Sequence, residues 1–251
     1  MELLKINNLR KSFDGNEVLK DIRMSVSENE VISIIGPSGS GKSTFLRCMT
    51  FLETPDGGEI YYCGEKAFSD KGGKISKNDL KRIKGYFSLV FQNFNLFPHY
   101  SVIRNIADAP IKVQGRKKEE VYAEAEILLK KIGLADKGNA YPCQLSGGQQ
   151  QRVAIARSLA MKPKMLFFDE PTSALDPELT ADILKILKEL ASEKMTMVIV
   201  THEIGFARNI SDRVIFMADG LVVEQGRPED VIDNPSNERT RMFLKKMAEK
   251  E

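Results

Sequence analysis

The chain has 251 residues, 42% of them hydrophobic, which suffices to bury the core of one large domain or two small ones. Its 37 lysines and arginines nearly cancel 35 aspartates and glutamates, so no overall basic field argues for a nucleic-acid partner. Cys48, Cys63 and Cys143 are far apart and form no C-x-x-C pair, as expected of reduced thiols in a cytosolic protein, and no apolar run approaches the roughly 20 residues that span a bilayer.

In chain order, Met1–Lys5 opens no secretory signal. Ile22, Met24 and Val26 alternate with polar residues, and Asp14-Gly15 supplies a turn before Val18-Leu19, which predicts antiparallel strands over the first thirty residues. Val31–Ile35 is a short β-branched strand that runs into Gly36-Pro37-Ser38-Gly39-Ser40-Gly41-Lys42-Ser43, and Thr44–Met49 reads as the first turns of a helix. The loop fits G-x-x-x-x-G-K-[ST] at every fixed position, a match with chance odds of about one in a hundred at ordinary glycine frequency. Glycines let backbone N–H groups close around phosphate oxygens, the helix N-terminus adds its positive end, and Lys42 adds a full charge. Ser43 offers a hydroxyl to Mg²⁺.

Pro55-Asp56-Gly57-Gly58 predicts a turn ahead of Glu59–Tyr62, and Asp70–Lys74 a polar, mobile surface loop. The basic run Lys81-Arg82-Ile83-Lys84 reads as a solvated face. From Asn93 the texture turns helical: Glu119–Ile132 places Val121, Ala125, Leu128, Leu129 and Ile132 on one face and stops at Gly133. Residues 93–159 are therefore a candidate helical insertion between two parts, 1–92 and 160–251, of an α/β core. Within it, Leu145-Ser146-Gly147-Gly148-Gln149 is a second glycine-rich phosphate loop, in which Ser146 caps a helix from about Gly148 to Ala160. One nucleotide does not need two such loops, so it is either redundant or half of a shared site.

Met165–Phe168 and Met195–Val200 are continuous apolar runs, as parallel strands buried on both faces require, with a helix over Leu179–Ala191 between them. Arg213–Met217 and Leu221–Glu224 form a hairpin through Ala218-Asp219-Gly220. Asp169 and Glu170 end the Met165 strand where an α/β sheet places its ligand crevice. Asp169 would hold Mg²⁺, and Glu170 would orient or deprotonate the attacking water. Its acidic neighbour is expected to make Glu170 bind protons more readily than a free glutamate. Gln92 follows Phe87–Phe91 and could reach the metal or the water; His202 follows Val198–Thr201 and could contact a γ-phosphate.

Six ordered motifs resemble those of an ATP-binding cassette (ABC) ATPase over the whole chain: the Walker A loop (Gly36–Ser43), the Q-loop (Gln92), the signature (Leu145–Gln149), Walker B (Leu166–Asp169 with Glu170), the D-loop (Ser173–Asp176) and the switch histidine (His202). The segments Phe91–His99, Thr201–Ala207 and Asn234–Thr240 are similar to the ATPases of polar amino-acid uptake systems of the histidine/glutamine/arginine type. With few residues after them, the resemblance implies a subunit without the regulatory domain of sugar-importer ATPases.

The resemblance implies an α/β fold: a P-loop NTPase core with a mixed sheet, an antiparallel β subdomain and a helical insertion. It implies ATP contacts at Phe13, Val18, Ser38, Gly39, Ser40, Gly41, Lys42, Ser43 and Thr44, with adenine stacked on Phe13 where many relatives carry Tyr. Mg²⁺ would be held by Ser43, Gln92 and Asp169, and catalysis would fall to Glu170, His202 and Gln92. Ser146, Gly147, Gly148, Gln149 and Asp176 would complete the ATP site of a second copy, so a homodimer is implied. A membrane permease would dock near Phe94, Leu96 and Phe97, an extracytoplasmic binding protein would supply the amino acid, and the chain would sit peripherally at the cytoplasmic face. The motifs also suit an importer of another small solute. A non-transport ABC ATPase acting on chromosomes would need a long heptad insertion, and one acting in translation would need a second cassette. A small-molecule P-loop kinase has no use for Leu145–Gln149.

Overall fold

The structure is a computed structural model describing residues 1–72 and 75–249, so the predicted loop at Asp70–Lys74 lies outside the described residues at Gly73 and Lys74. The alternation near the N-terminus folds as a hairpin of β1 (Glu2–Phe13) and β2 (Asn16–Ser27), turned at Asp14 and Gly15, where φ is 49° and 81°. Leu4 pairs with Val26, Ile6 with Met24 and Leu9 with Ile22, which gives the ladder one buried apolar face. β3 (Val31–Ile35) leads through the glycine loop into α1 (Lys42–Met49). β4 (Gly57–Tyr62) and β5 (Glu65–Ser69) then complete an antiparallel sheet of order β2-β1-β4-β5.

α2 (Lys77–Lys84) and β6 (Phe87–Val90) precede three helices, α3 (Val102–Gln114), α4 (Lys118–Lys131) and α5 (Gly147–Ala160). The chain continues through β7 (Met165–Asp169), α6 (Pro177–Ser192), β8 (Thr196–Val200), α7 (Ile204–Ile210), β9 (Arg213–Ala218), β10 (Leu221–Gly226) and α8 (Glu238–Ala248). The second sheet has order β10-β9-β3-β8-β7-β6 and is parallel except at the β9–β10 hairpin.

The apolar runs of β7 and β8 are continuous because both faces of this sheet are covered. Phe45, Leu46 and Met49 of α1 lie between the sheets in one cluster with Ile6, Ile60, Phe167 and Val198. On the other face Leu166, Phe168, Met197 and Ile199 meet Ile183, Leu187 and Leu190 of α6. The helical segment has a core of its own, with Val102 and Ile106, Val121, Ala125 and Leu129, and Val153 and Ala156. α5 serves two cores, since its Ala154 and Ile155 pack with the sheet instead. Among the described residues no helix is long and apolar enough to cross a membrane.

One local expectation needs correction. The turn read at Pro55–Gly58 gives way to strand at Gly57, and Gly58, with φ +96°, sits at the bulge where β1–β4 register shifts between Asn7 and Arg10. A Cβ there would lie 2.5 Å from the carbonyl oxygens of Asn7 and Asn8. Gly58→Ala should therefore lower stability by about 1–3 kcal/mol, or roughly 2–12 °C for a chain of this size, read as the thermal midpoint. Lys81, Arg82 and Lys84 are exposed at the end of α2, the solvated face expected of them, and Ile83 is the only residue that this helix buries.

Candidate functional site

Parallel strands β3, β7 and β8 end side by side, and their carboxyl ends deliver the groups that face the glycine loop. Gly36 leaves β3 with φ +146°, and a Cβ on it would lie 2.1 Å from the Met217 carbonyl oxygen, so only glycine fits. The β9–β10 hairpin also braces the loop, because the Gly220 N–H donates to Ser40 O at 3.2 Å. Lys42, 4% exposed, turns back so that Nζ donates to Gly36 O at 2.9 Å and Pro37 O at 3.0 Å. Burial lowers its pKa, and the charges of Glu170 and Asp169 push it back up. Gly41 caps α1 without a side-chain acceptor, so the first-turn N–H groups keep no partner of their own. Ser40 Oγ is likewise buried with no hydrogen-bond partner.

At the end of β7, Asp169 Oδ1 accepts a hydrogen bond from Ser43 Oγ at 2.9 Å. Burial raises the Asp169 pKa, against the Ser43 bond that lowers it. Glu170 stands just past the strand with φ 46°, and His202 Nε2–H donates to its Oε1 at 2.9 Å. That bond is the main reason its carboxyl titrates below the usual glutamate range. The expectation that Glu170 gains protons is thus overturned. Its sequence neighbour, Asp169, is the carboxyl whose pKa rises, and a histidine 32 residues away governs Glu170.

Val18, Ser38, Gly39, Gly41, Lys42, Ser43, Thr44, Glu170 and His202 line one cleft of about 280 Å³. The volume lies just under the usual range for small-molecule pockets, and the lining suits a polyphosphate rather than a whole nucleotide. A lysine ammonium, free helix N–H groups and a hydroxyl–carboxylate pair match a phosphate chain carrying a hard divalent cation, which takes few protein ligands and several phosphate oxygens.

Other expected residues lie elsewhere. Phe13, 41% exposed at the end of β1, holds the Lys11 ammonium 4.9 Å from its ring centre and is outside the cleft lining. Gln92 is exposed and also outside it. Ser146 caps α5: its Oγ accepts the Gln149 N–H at 3.3 Å, and Gln149 Oε1 accepts the Ser146 N–H at 3.0 Å. Asp176 caps α6 by accepting the Leu179 N–H at 3.0 Å. None of Ser146, Gly147, Gly148, Gln149 and Asp176 lines the cleft of its own chain. Of the apolar residues after Gln92, Phe97 is exposed while Leu96 packs into two cores.

Sequence reading missed two residues of α5 that reach this neighbourhood. Arg157, its pKa lowered by burial, donates to Asn95 O at 2.7 Å and Phe94 O at 3.0 Å and so secures the loop after Gln92. Gln151 Nε2 donates to Pro171 O at 3.0 Å, directly after Glu170. Both bond to backbone carbonyls, which any sequence supplies, so no motif marks them.

A family profile described as ABC transporter matches residues 19–173. The arginine transport ATP-binding protein of Corynebacterium glutamicum is 52% identical over 93% of this chain and 94% of its own. The L-cystine import ATP-binding protein of Bacillus subtilis is 49% identical over 98% of both. Among solved structures, a dimeric ATP-binding cassette in a post-hydrolysis state bound to ADP and Pi superposes with a TM-score of 0.80 at 35% identity, covering 91% of this chain and 100% of that one. A cassette of a Clostridium perfringens ABC transporter complex gives 0.81 at 31% identity, covering 92% and 91%.

Proposed function

The chain belongs to the ABC transporter family, and from that premise we propose that its ATPase cycle drives uptake of a polar amino acid through a separate permease at the cytoplasmic face of the membrane. Its near-50% identity to arginine and cystine transport subunits over almost its whole length carries the choice of cargo class.

In this reading the phosphates of ATP lie along Ser38–Thr44 with the Lys42 ammonium against them, while Phe13 and Val18 take the adenine. Mg²⁺, held by Ser43, Asp169 and Gln92, would offset charge on the phosphate oxygens. Glu170 takes a proton from the attacking water as its oxygen bonds to the γ-phosphorus and the bond to ADP breaks. His202 steadies Glu170 through Nε2–H and meets the γ-phosphate.

Two copies stand head to tail, so that Ser146, Gly147, Gly148, Gln149 and Asp176 of one cover the cleft of the other. The support is that these residues line no part of their own cleft, while Gly147 and Gly148 begin a helix whose cap, Ser146, takes the Gln149 N–H and leaves theirs without intrahelical partners. Closure with ATP and reopening after hydrolysis would pass to the permease through the loop after Gln92, where Phe97 presents an exposed ring.

The test is co-expression with the amino-acid permease encoded beside this chain, followed by reconstitution with the binding protein in vesicles. ATP-dependent uptake of labelled arginine or cystine is expected. Failure to associate with any amino-acid permease sinks the reading, and uptake confined to another solute class reassigns the cargo.

A further inference from the structure

We propose that Gln151 is a positioning residue that fixes the backbone at Glu170 to the helix carrying Ser146, so that occupancy of one ATP site is felt at the other. The inter-site part rests on the shared-site reading above.

Three positions on one face of α5 meet the segment that follows Glu170. A Cβ on Gly147 would lie 3.3 Å from Leu175, and one on Gly148 would lie 3.0 Å from Leu179. One turn on, Gln151 is fully buried, with Nε2 3.0 Å from Pro171 O. Spacings of three and four residues put these positions side by side on the helix.

That contact is placed where Glu170 needs support. Glu170 holds φ 46°, a conformation that L residues other than Asn and Asp rarely adopt, and it precedes a proline, which disfavours helical backbone further. Its own peptide groups are tied down, the N–H to Val200 O at 2.9 Å and the carbonyl to Ser173 N and Oγ at 3.2 and 3.0 Å. The next carbonyl, of Pro171, is held by Gln151. Its side-chain oxygen Oε1 is buried without a partner. Gln151 therefore keeps an unsatisfied acceptor in the core in order to supply one donor at this carbonyl, a cost that packing alone does not explain. When an anion of the second copy's nucleotide engages the N-terminus of α5, any shift of the helix acts on Pro171 and hence on the carboxylate that takes the proton.

Gln151→Met keeps the shape, and although it leaves Pro171 O without its donor it also removes the buried, unpartnered Oε1; the two changes oppose each other, so the thermal midpoint should fall by less than about 5 °C. With Mg-ATP the variant should lose about ten-fold or more in kcat, as a displaced catalytic group does, with KM for ATP within about two-fold of wild type. Its Hill coefficient for ATP should fall towards one. Unchanged kcat overturns the proposal, and so does a loss of kcat matched by a rise in KM or by a thermal midpoint more than about 5 °C lower, which marks a structural role only. ATP-induced dimerisation of Glu170→Gln is measured in parallel. If that dimer does not form, the shared-site reading fails by itself and the inter-site part falls with it, whereas a selective loss of kcat in Gln151→Met still supports the positioning of Glu170.

Discussion

Lys42→Ala should weaken ATP binding by roughly 2–5 kcal/mol, about 30- to 5,000-fold in Kd, and take turnover below detection. The size follows from where the charge sits. Lys42 is 4% exposed, and Nζ already bonds two carbonyls of the loop that must wrap the phosphates. Removing it deletes the full positive charge among the lining residues that favours a phosphate chain, leaves those carbonyls unpaired and leaves Asp169 and Glu170 less compensated. The helix dipole alone contributes about 0.3–1 kcal/mol, too little to replace it. Lys42→Arg should recover part of the affinity but little turnover, because a forked planar guanidinium cannot take the place of a compact ammonium between Gly36 O and Pro37 O. Equilibrium binding of a fluorescent ATP analogue and steady-state phosphate release provide the two readings. Wild-type affinity in Lys42→Ala would remove the phosphate-loop assignment.

Local signals carried far in this chain. β3, β7 and β8 are legible because strands covered on both faces are apolar at every position, and α4 because Val121, Ala125 and Leu129 recur at helical spacing on a buried face. All the residues lining the cleft lie in or beside motifs that read directly as phosphate chemistry, save Val18, which the family resemblance supplied. What escaped depends on partners distant in sequence. Gly58 looks like a turn glycine until Asn7 and Asn8 are seen against it. Glu170 looks readier than a free glutamate to bind protons beside Asp169 until His202 reaches it. α8 fully buries only Thr240 among its side chains and carries no apolar stripe strong enough to announce itself. Gln151 and Arg157 act on backbone oxygens, and those have no signature at all.

Glu170→Gln should keep ATP and lose hydrolysis by about 10²–10⁴-fold, the usual contribution of a positioned general base. The amide matches the carboxylate in shape and can still pair with His202, so the cleft should persist with its lining intact. What disappears is the acceptor for the water's proton. Glu170 can fill that role because its carboxyl is ionised at neutral pH and His202 fixes its Oε1 in the cleft, although the same hydrogen bond lowers its pKa and so its basicity. The substitution also removes a negative charge from a cleft that must take a polyanion, so affinity for ATP should stay level or rise. If the shared-site reading holds, ATP that binds but is not consumed should hold two copies together. Light scattering should then give monomer mass without nucleotide and dimer mass with it, and a second substitution, Ser146→Arg, should abolish the dimer by placing a bulky cation over the α5 N-terminus. Undiminished hydrolysis would mean that another group takes the proton. A protein that stays monomeric with ATP bound would instead leave the catalytic role intact and sink the head-to-tail arrangement, because an α5 N-terminus that no second copy's phosphate engages has no part in closure.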